Sequence, residues 1–160
     1  MNVYLIRHGE AEKPSLEKPH EERELTENGI KIVRASAEFL MNYVNELDII
    51  FSSPLKRALQ TAYIIKEVFN SKSEILQEVS LLNGGQTEDL LNLVCAFGVE
   101  EVAMIGHQPD MGIHISRMTG ANEGNIKIAP ATISKISFKG SPVMGEGILE
   151  FLFPPLIKKG

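Results

Sequence analysis

The chain has 160 residues, a formal charge of −5, and 43% apolar residues with no tryptophan. That length suits one ordinary domain, expected to span 1–160, with a core of Leu, Ile, Val, Ala and Met. The acidic balance argues against general affinity for nucleic acid, and no apolar stretch reaches membrane-spanning length, so neither nucleic acid nor a membrane is an expected partner. Cys95 is the single cysteine, which excludes an intrachain disulfide. Within Leu90-Leu91-Asn92-Leu93-Val94-Cys95 its expected role is that of a small buried apolar residue. The chain opens on an apolar run without the basic segment and cleavage site of a secretory leader, and the cytoplasm is the expected compartment.

Residues 2–7 read as a first strand, and residues 10–25, charged and carrying Pro14 and Pro19, as a mobile surface loop. Thr26 is a candidate N-cap for a helix whose buried stripe is Ile30, Val33, Ala37, Leu40 and Val44. Asp48 to Phe51 forms a second strand. Ser53 is then placed to cap a helix with Pro54 in its first position and Leu55, Leu59, Ala62, Ile65 and Phe69 along one face. A short strand follows at Ile75-Leu76, a turn at Gly84-Gly85, and a helix from a Thr87 cap to about Phe97. Val102 to Gly106 is a further buried strand, and Asp110 is a candidate cap for a short helix through Met118. Strands from Ile133 and over Ile148 to Phe153 flank a Gly/Pro-rich turn at 139–147, and Pro154-Pro155 and a basic tail finish the chain. Strands alternating with helices predict an α/β fold, a three-layer α/β/α sandwich around a mostly parallel sheet with an antiparallel strand near its end.

In open α/β sheets, ligands bind beyond the carboxyl ends of the strands. Three strand-to-loop junctions here carry Arg7 and His8, then Arg57, then His107. A guanidinium grips phosphate with a fork of donors, and a neutral imidazole beside it can act as a nucleophile. Arg57 falls in the first turn of its helix, where free N–H groups and the helix dipole attract anions. The backbone N–H of Gln108 is expected to face the same crevice. Two arginines, two histidines and a helix end make a pocket for a dianionic phosphoryl group.

The run Leu5-Ile6-Arg7-His8-Gly9-Glu10, the element Leu25-Thr26-Glu27-Asn28-Gly29, the segment Ser53-Pro54-Leu55-Lys56-Arg57-Ala58 and the pair Gly106-His107 together resemble the histidine phosphatase, or phosphoglycerate mutase-like, superfamily. The short chain and the turn Gly106-His107-Gln108-Pro109-Asp110 are most similar to its compact SixA-type phosphohistidine phosphatases. The resemblance implies a phosphoglycerate mutase-like fold and a phosphatase in which His8 forms a phosphohistidine intermediate that water hydrolyses. Arg7 and Arg57 would clamp the phosphoryl oxygens. His107, cationic when substrate is bound, and Gln108 would add phosphate contacts. No metal or other cofactor is implied. The carboxylate that many members use as general acid has its nearest positional candidate in Glu78, with Glu10, Glu88 and Asp89 also available. A phosphoramidate needs such an acid least, because a departing imidazole accepts a proton readily.

The implied partner is a phosphorylated protein or a small phosphorylated substrate; the sequence does not give the oligomeric state. A small-molecule phosphomonoesterase or mutase is the alternative within the family, and a catalytically silent phosphate-binding module the alternative outside it. A nucleotide-binding protein ranks last, since both the GxxxxGK[ST] and GxGxxG patterns are missing. Outside the quartet, His20 reads as an exposed loop residue, His114 as packing or surface, the methionines as core filler, and Lys56, Lys66 and Lys72 as a solvated helix face.

Overall fold

The apolar runs form the expected strands in a computed structural model that describes residues 1–122 and 126–155. In chain order the elements are β1 (Asn2–Arg7), α1 (Glu27–Leu40), β2 (Ile49–Ser52), α2 (Lys56–Val68), β3 (Ile75–Gln77), α3 (Thr87–Phe97), β4 (Glu101–Gly106), α4 (Asp110–Thr119), β5 (Ile133–Ser137) and β6 (Ile148–Phe153). Single 3-10 turns lie at His20–Glu22 and Val79–Leu81. The six strands make one sheet in the order β3-β2-β4-β1-β5-β6. The first four run parallel; β5 is antiparallel to β1, and β6 to β5. The basic tail at 156–160 lies outside the described residues.

Side chains alternate across a strand, and β1 shows the consequence. Tyr4 and Ile6 join Val33, Ala37 and Leu40 of α1 and Ala58, Ala62 and Ile65 of α2 in one core. Val3 and Leu5 face the other way, into Leu90, Leu91 and Val94 of α3 and Met111, Ile115 and Met118 of α4. The sheet is therefore the middle of three layers, and its central strands are apolar on both faces, as parallel strands must be. Among the described residues no helix is long and apolar enough to cross a membrane.

Local chemistry departs from expectation at several points. Thr26 does cap α1, its hydroxyl accepting from the Gly29 N–H at 2.9 Å. Of the expected stripe, however, Ile30 is exposed, and Val44 is buried beyond the end of the helix. Ser53 is not the cap of α2: the helix starts at Lys56 behind Leu55, and the Ser53 hydroxyl faces His107 instead. Thr87 is the first residue of α3 rather than its cap, and its hydroxyl meets His114. Asp110 lies in the first turn of α4, where its carboxylate accepts from the Gly84 N–H. Cys95 is exposed, contrary to its reading as core. The buried stripe of α3 runs through Leu90, Leu91 and Val94, and the next residue turns about 100° away from it.

Candidate active site

Because β1, β2, β3 and β4 are parallel, their carboxyl ends emerge at one edge. Arg7 is in register with Gly106, and Ser52 with both Ile105 and Gln77. His8, Ser53, Glu78 and His107 follow directly. The His8 N–H donates to the Gly106 carbonyl and the Ser53 N–H to the Ile105 carbonyl, so the sheet's hydrogen bonding continues one residue into the site.

His8 Nδ1 lies 2.7 Å from the Gly9 carbonyl oxygen. A carbonyl only accepts, so Nδ1 carries the proton and Nε2 keeps its lone pair. Arg57 Nε lies 3.3 Å from that Nε2, and the His8 and His107 ring centroids are 5.0 Å apart. Burial, countered in part by the Gly9 hydrogen bond, holds His8 down to about 4, with the charges of Arg57, Arg7 and Arg23 adding to the depression. His107 is lower still, at about 3, again through burial first and then through His8, Arg57, His20 and Arg7. Both rings are neutral at pH 7.

His107 is 3% exposed, and its Nε2 lies 2.7 Å from Ser53 Oγ. Ser53 Oγ also accepts from the Leu55 N–H at 3.4 Å. If its hydroxyl proton goes to His107 Nε2, the proton of that ring sits on Nδ1, a buried atom without a partner. Arg7 resembles it. Its terminal nitrogen donates to the Ile128 carbonyl at 2.6 Å, while its buried Nε has no partner. Burial also lowers the pKa of Arg7 and Arg57, whose guanidiniums nonetheless stay charged. In that tautomer the His107 Nδ1–H and the Arg7 Nε–H are both buried donors that an oxyanion can satisfy.

The structure thus brings His8, Arg57 and His107 into contact range, with Arg7 close enough to depress both rings. Gln108 follows, its side-chain amide donating to the Ile126 carbonyl. Glu78 is at the same edge, with one carboxylate oxygen, Oε1, accepting from the Ser80 N–H and hydroxyl at 3.0 Å each. Glu10 is held by Thr26 and Asn28 at the start of α1, and Glu88 lies 3.9 Å from Arg117.

Sequence reasoning missed three contributors. His20 is exposed as read, yet it contacts Arg57. Ser53 has the residue type of a helix cap, yet its hydroxyl faces His107. The segment 126–132 supplies the Ile128 carbonyl to Arg7, and its Ala131 N–H, held at φ 61°, lies 3.1 and 3.2 Å from the Arg7 and His8 carbonyls. Only the sheet order, which sets β5 beside β1, could have signalled that segment. Close packing completes the frame: a Cβ on Gly29 would stand 2.1 Å from the Glu10 carbonyl oxygen, so α1 abuts the chain just beyond His8.

Several known proteins are similar to this chain. A phosphohistidine phosphatase SixA homolog of Haemophilus influenzae is 28% identical over 151 residues, covering 88% of this chain and 90% of that protein. Phosphohistidine phosphatase SixA of Escherichia coli is 30% identical over 122 residues, 74% of each chain. The solved structure of the protein histidine phosphatase SixA complexed with tungstate superposes with a TM-score of 0.85 at 24% identity, over 96% of this chain and 97% of that one. The model of the histidine phosphatase superfamily (branch 1) matches residues 3–92, more than half of the sequence, and the chain belongs to that superfamily.

Proposed function

We propose that this chain is a phosphohistidine phosphatase that acts on a phosphorylated protein, with His8 as its nucleophile and residues 1–160 working as one catalytic unit. The observation that carries the reading is the state of His8: a half-buried neutral ring whose Nε2 lone pair faces the Arg57 guanidinium. In the first step Nε2 turns its lone pair from the Arg57 Nε–H to phosphorus as the bond from phosphorus to the substrate nitrogen breaks. The departing imidazole takes up a proton from solvent, and the phosphoryl group rests on His8. Water then attacks that phosphorus, the His8 bond breaks, and orthophosphate leaves with the ring restored. Arg7 and Arg57 hold the equatorial oxygens, where the transferring charge is spread. The Nδ1–H of His107 and the backbone N–H of Gln108 complete the cradle. An arriving dianion opposes the burial and cationic neighbours that depress His107, and so draws a proton onto that ring. These residues supply the positive charge that the reaction needs, so the reading invokes no metal.

The likeness to the two curated relatives supports a protein-borne phosphohistidine, and a soluble cytoplasmic setting suits such a partner. Rates on a phosphohistidine-bearing phosphotransfer domain, compared with sugar phosphates and phosphoglycerate, test the substrate class; preference for the small esters would overturn it. Glu78→Gln should change turnover of phosphohistidine by less than about threefold. With ester substrates a true general acid contributes about 10²–10⁴. Acid-labile phosphate should be trapped on the wild-type protein and be absent from His8→Ala. Its absence from both would leave only a phosphate-binding module.

A further inference from the structure

Arg57 is 4% exposed and makes three side-chain hydrogen bonds, only one of them to His8. One terminal nitrogen donates to the His20 carbonyl at 3.0 Å, and the other lies 2.9 Å from His20 Nε2. Both contacts come from one residue, 37 positions away in sequence, that reads as an ordinary solvated histidine. An incidental surface ring does not place its carbonyl and its ring nitrogen on the same guanidinium.

The loop that carries His20 is braced. Lys18 binds Glu12 at 2.6 Å and Glu24 at 2.9 Å, and Arg23 Nε donates to the Glu12 carbonyl at 2.7 Å. Ala11 bridges Leu25, and Lys56 at the start of α2 reaches Glu24 at 3.0 Å. The loop is tied across its own neck and to the helix that bears Arg57, and the 3-10 turn at its tip presents His20.

A guanidinium is planar, so fixing its two terminal nitrogens also fixes the direction of its Nε–H. Here that N–H points at the lone pair of His8. Since Arg57 donates, His20 Nε2 must accept, and the ring is neutral with its proton on Nδ1. That nitrogen faces Arg23 at 3.5 Å, too long beside the 2.9 Å contact to be the acceptor. Each terminal nitrogen of Arg57 keeps a second hydrogen, so the clamp can bind an anion without releasing His20.

We propose that His20 is a positioning residue: its neutral imidazole, delivered by the braced loop, sets the plane of Arg57 so that the guanidinium serves the phosphoryl site and His8 together. The inference rests on the phosphatase reading for its kinetic consequence, but not for the geometry. The test compares wild type, His20→Ala and His20→Gln; glutamine offers an acceptor near the position of Nε2. Three quantities are measured: sulfate affinity, the NMR signal of the Arg57 Nε–H, and kcat/KM on a phosphohistidine-bearing protein.

His20→Ala should weaken sulfate binding and lower kcat/KM by about tenfold each, the share expected of one hydrogen bond to a charged group. Its Arg57 Nε–H signal should broaden as the guanidinium gains freedom. His20→Gln should recover all three to within about threefold, on the same reasoning. Unchanged affinity and signal in His20→Ala, or a His20→Gln variant as impaired as His20→Ala, would overturn the proposal. If no variant hydrolyses phosphohistidine, the phosphatase reading fails while sulfate and the NMR signal still judge His20.

Discussion

The two ends of the sheet use their residues differently. In the parallel part, β3-β2-β4-β1, the three inner strands β2, β4 and β1 are buried on both faces, and the polar chemistry is pushed to their carboxyl ends, where Arg7, His8, Ser53 and His107 lie along the edge. In the antiparallel flank, β6 is an edge strand whose residues are exposed or only partly covered. Phe151 and Phe153 stack on each other and against Tyr43 and Phe39 of the α1 region. Parallel strands bring all their carboxyl ends to one side, whereas antiparallel neighbours alternate. One arrangement collects charge at a point, and the other spreads apolar cover along a flank.

Substitutions should separate the two regions. The largest effect is expected from Arg57→Ala, which removes a preorganised donor and should lower kcat/KM by about 10²–10³. Its unfolding midpoint in urea should stay near wild type, because the residue contributes charge rather than apolar packing.

Phe153→Ala should do the opposite. Loss of an edge-to-face contact at 4.6 Å with Phe39 and a stack at 5.0 Å with Phe151 should cost about 1–3 kcal/mol in denaturant unfolding, less than a fully buried phenylalanine because β6 is partly exposed. Its kcat/KM should be unchanged. A Phe153→Ala enzyme with impaired turnover would show that the flank and the crevice are coupled.

Acid sharpens the contrast, since the flank contains no histidine. His8, His107 and His114 are pushed down to about 4, 3 and 4, in each case chiefly by burial. An imidazole in the unfolded chain protonates near pH 6.5, so between that pH and about 4 unfolding takes up protons that the native state refuses. Stability should be nearly flat above pH 7 and decline as pH falls from about 6.5 toward about 4. His114→Gln should make that decline about one third shallower, because one of three depressed groups is gone. Phe153→Ala should keep the wild-type slope. Thermal unfolding across this range checks both.

The smallest effect is expected at Ser53. If its hydroxyl fixes the tautomer of His107, Ser53→Ala should cost about tenfold or less in kcat/KM, the loss of one neutral hydrogen bond. An unchanged rate would mean that His107 finds its tautomer unaided.

Much of this was legible in the sequence, for identifiable reasons. A run such as Val102-Ala103-Met104-Ile105 has one compact use, a strand covered on both faces, and the polar residue that follows it must lie at the rim. Arg7, His8, Arg57 and His107 could therefore be assigned to one edge before any contact was known. The errors arose where two partners compete for one group. Ser53 has the right residue type for a helix cap, yet the neighbour that claims its hydroxyl is His107, 54 positions on. Cys95 sits in an apolar stretch, but the helical phase set by Leu90, Leu91 and Val94 turns it outward. His20 is exposed, as its charged loop suggests, and exposure says nothing about a partner that the loop reaches only when folded.

Gly29 carries a consequence of another kind. The first turn of α1 rests directly against the peptide of Glu10, and the room between them is smaller than a methyl group. Gly29→Ala would force either the helix or the segment after His8 to retreat. The prediction is a variant that keeps every ionisable group of the crevice and still loses rate, because its nucleophile has drifted out of line. Catalytic alignment here is guarded by an atom that is missing.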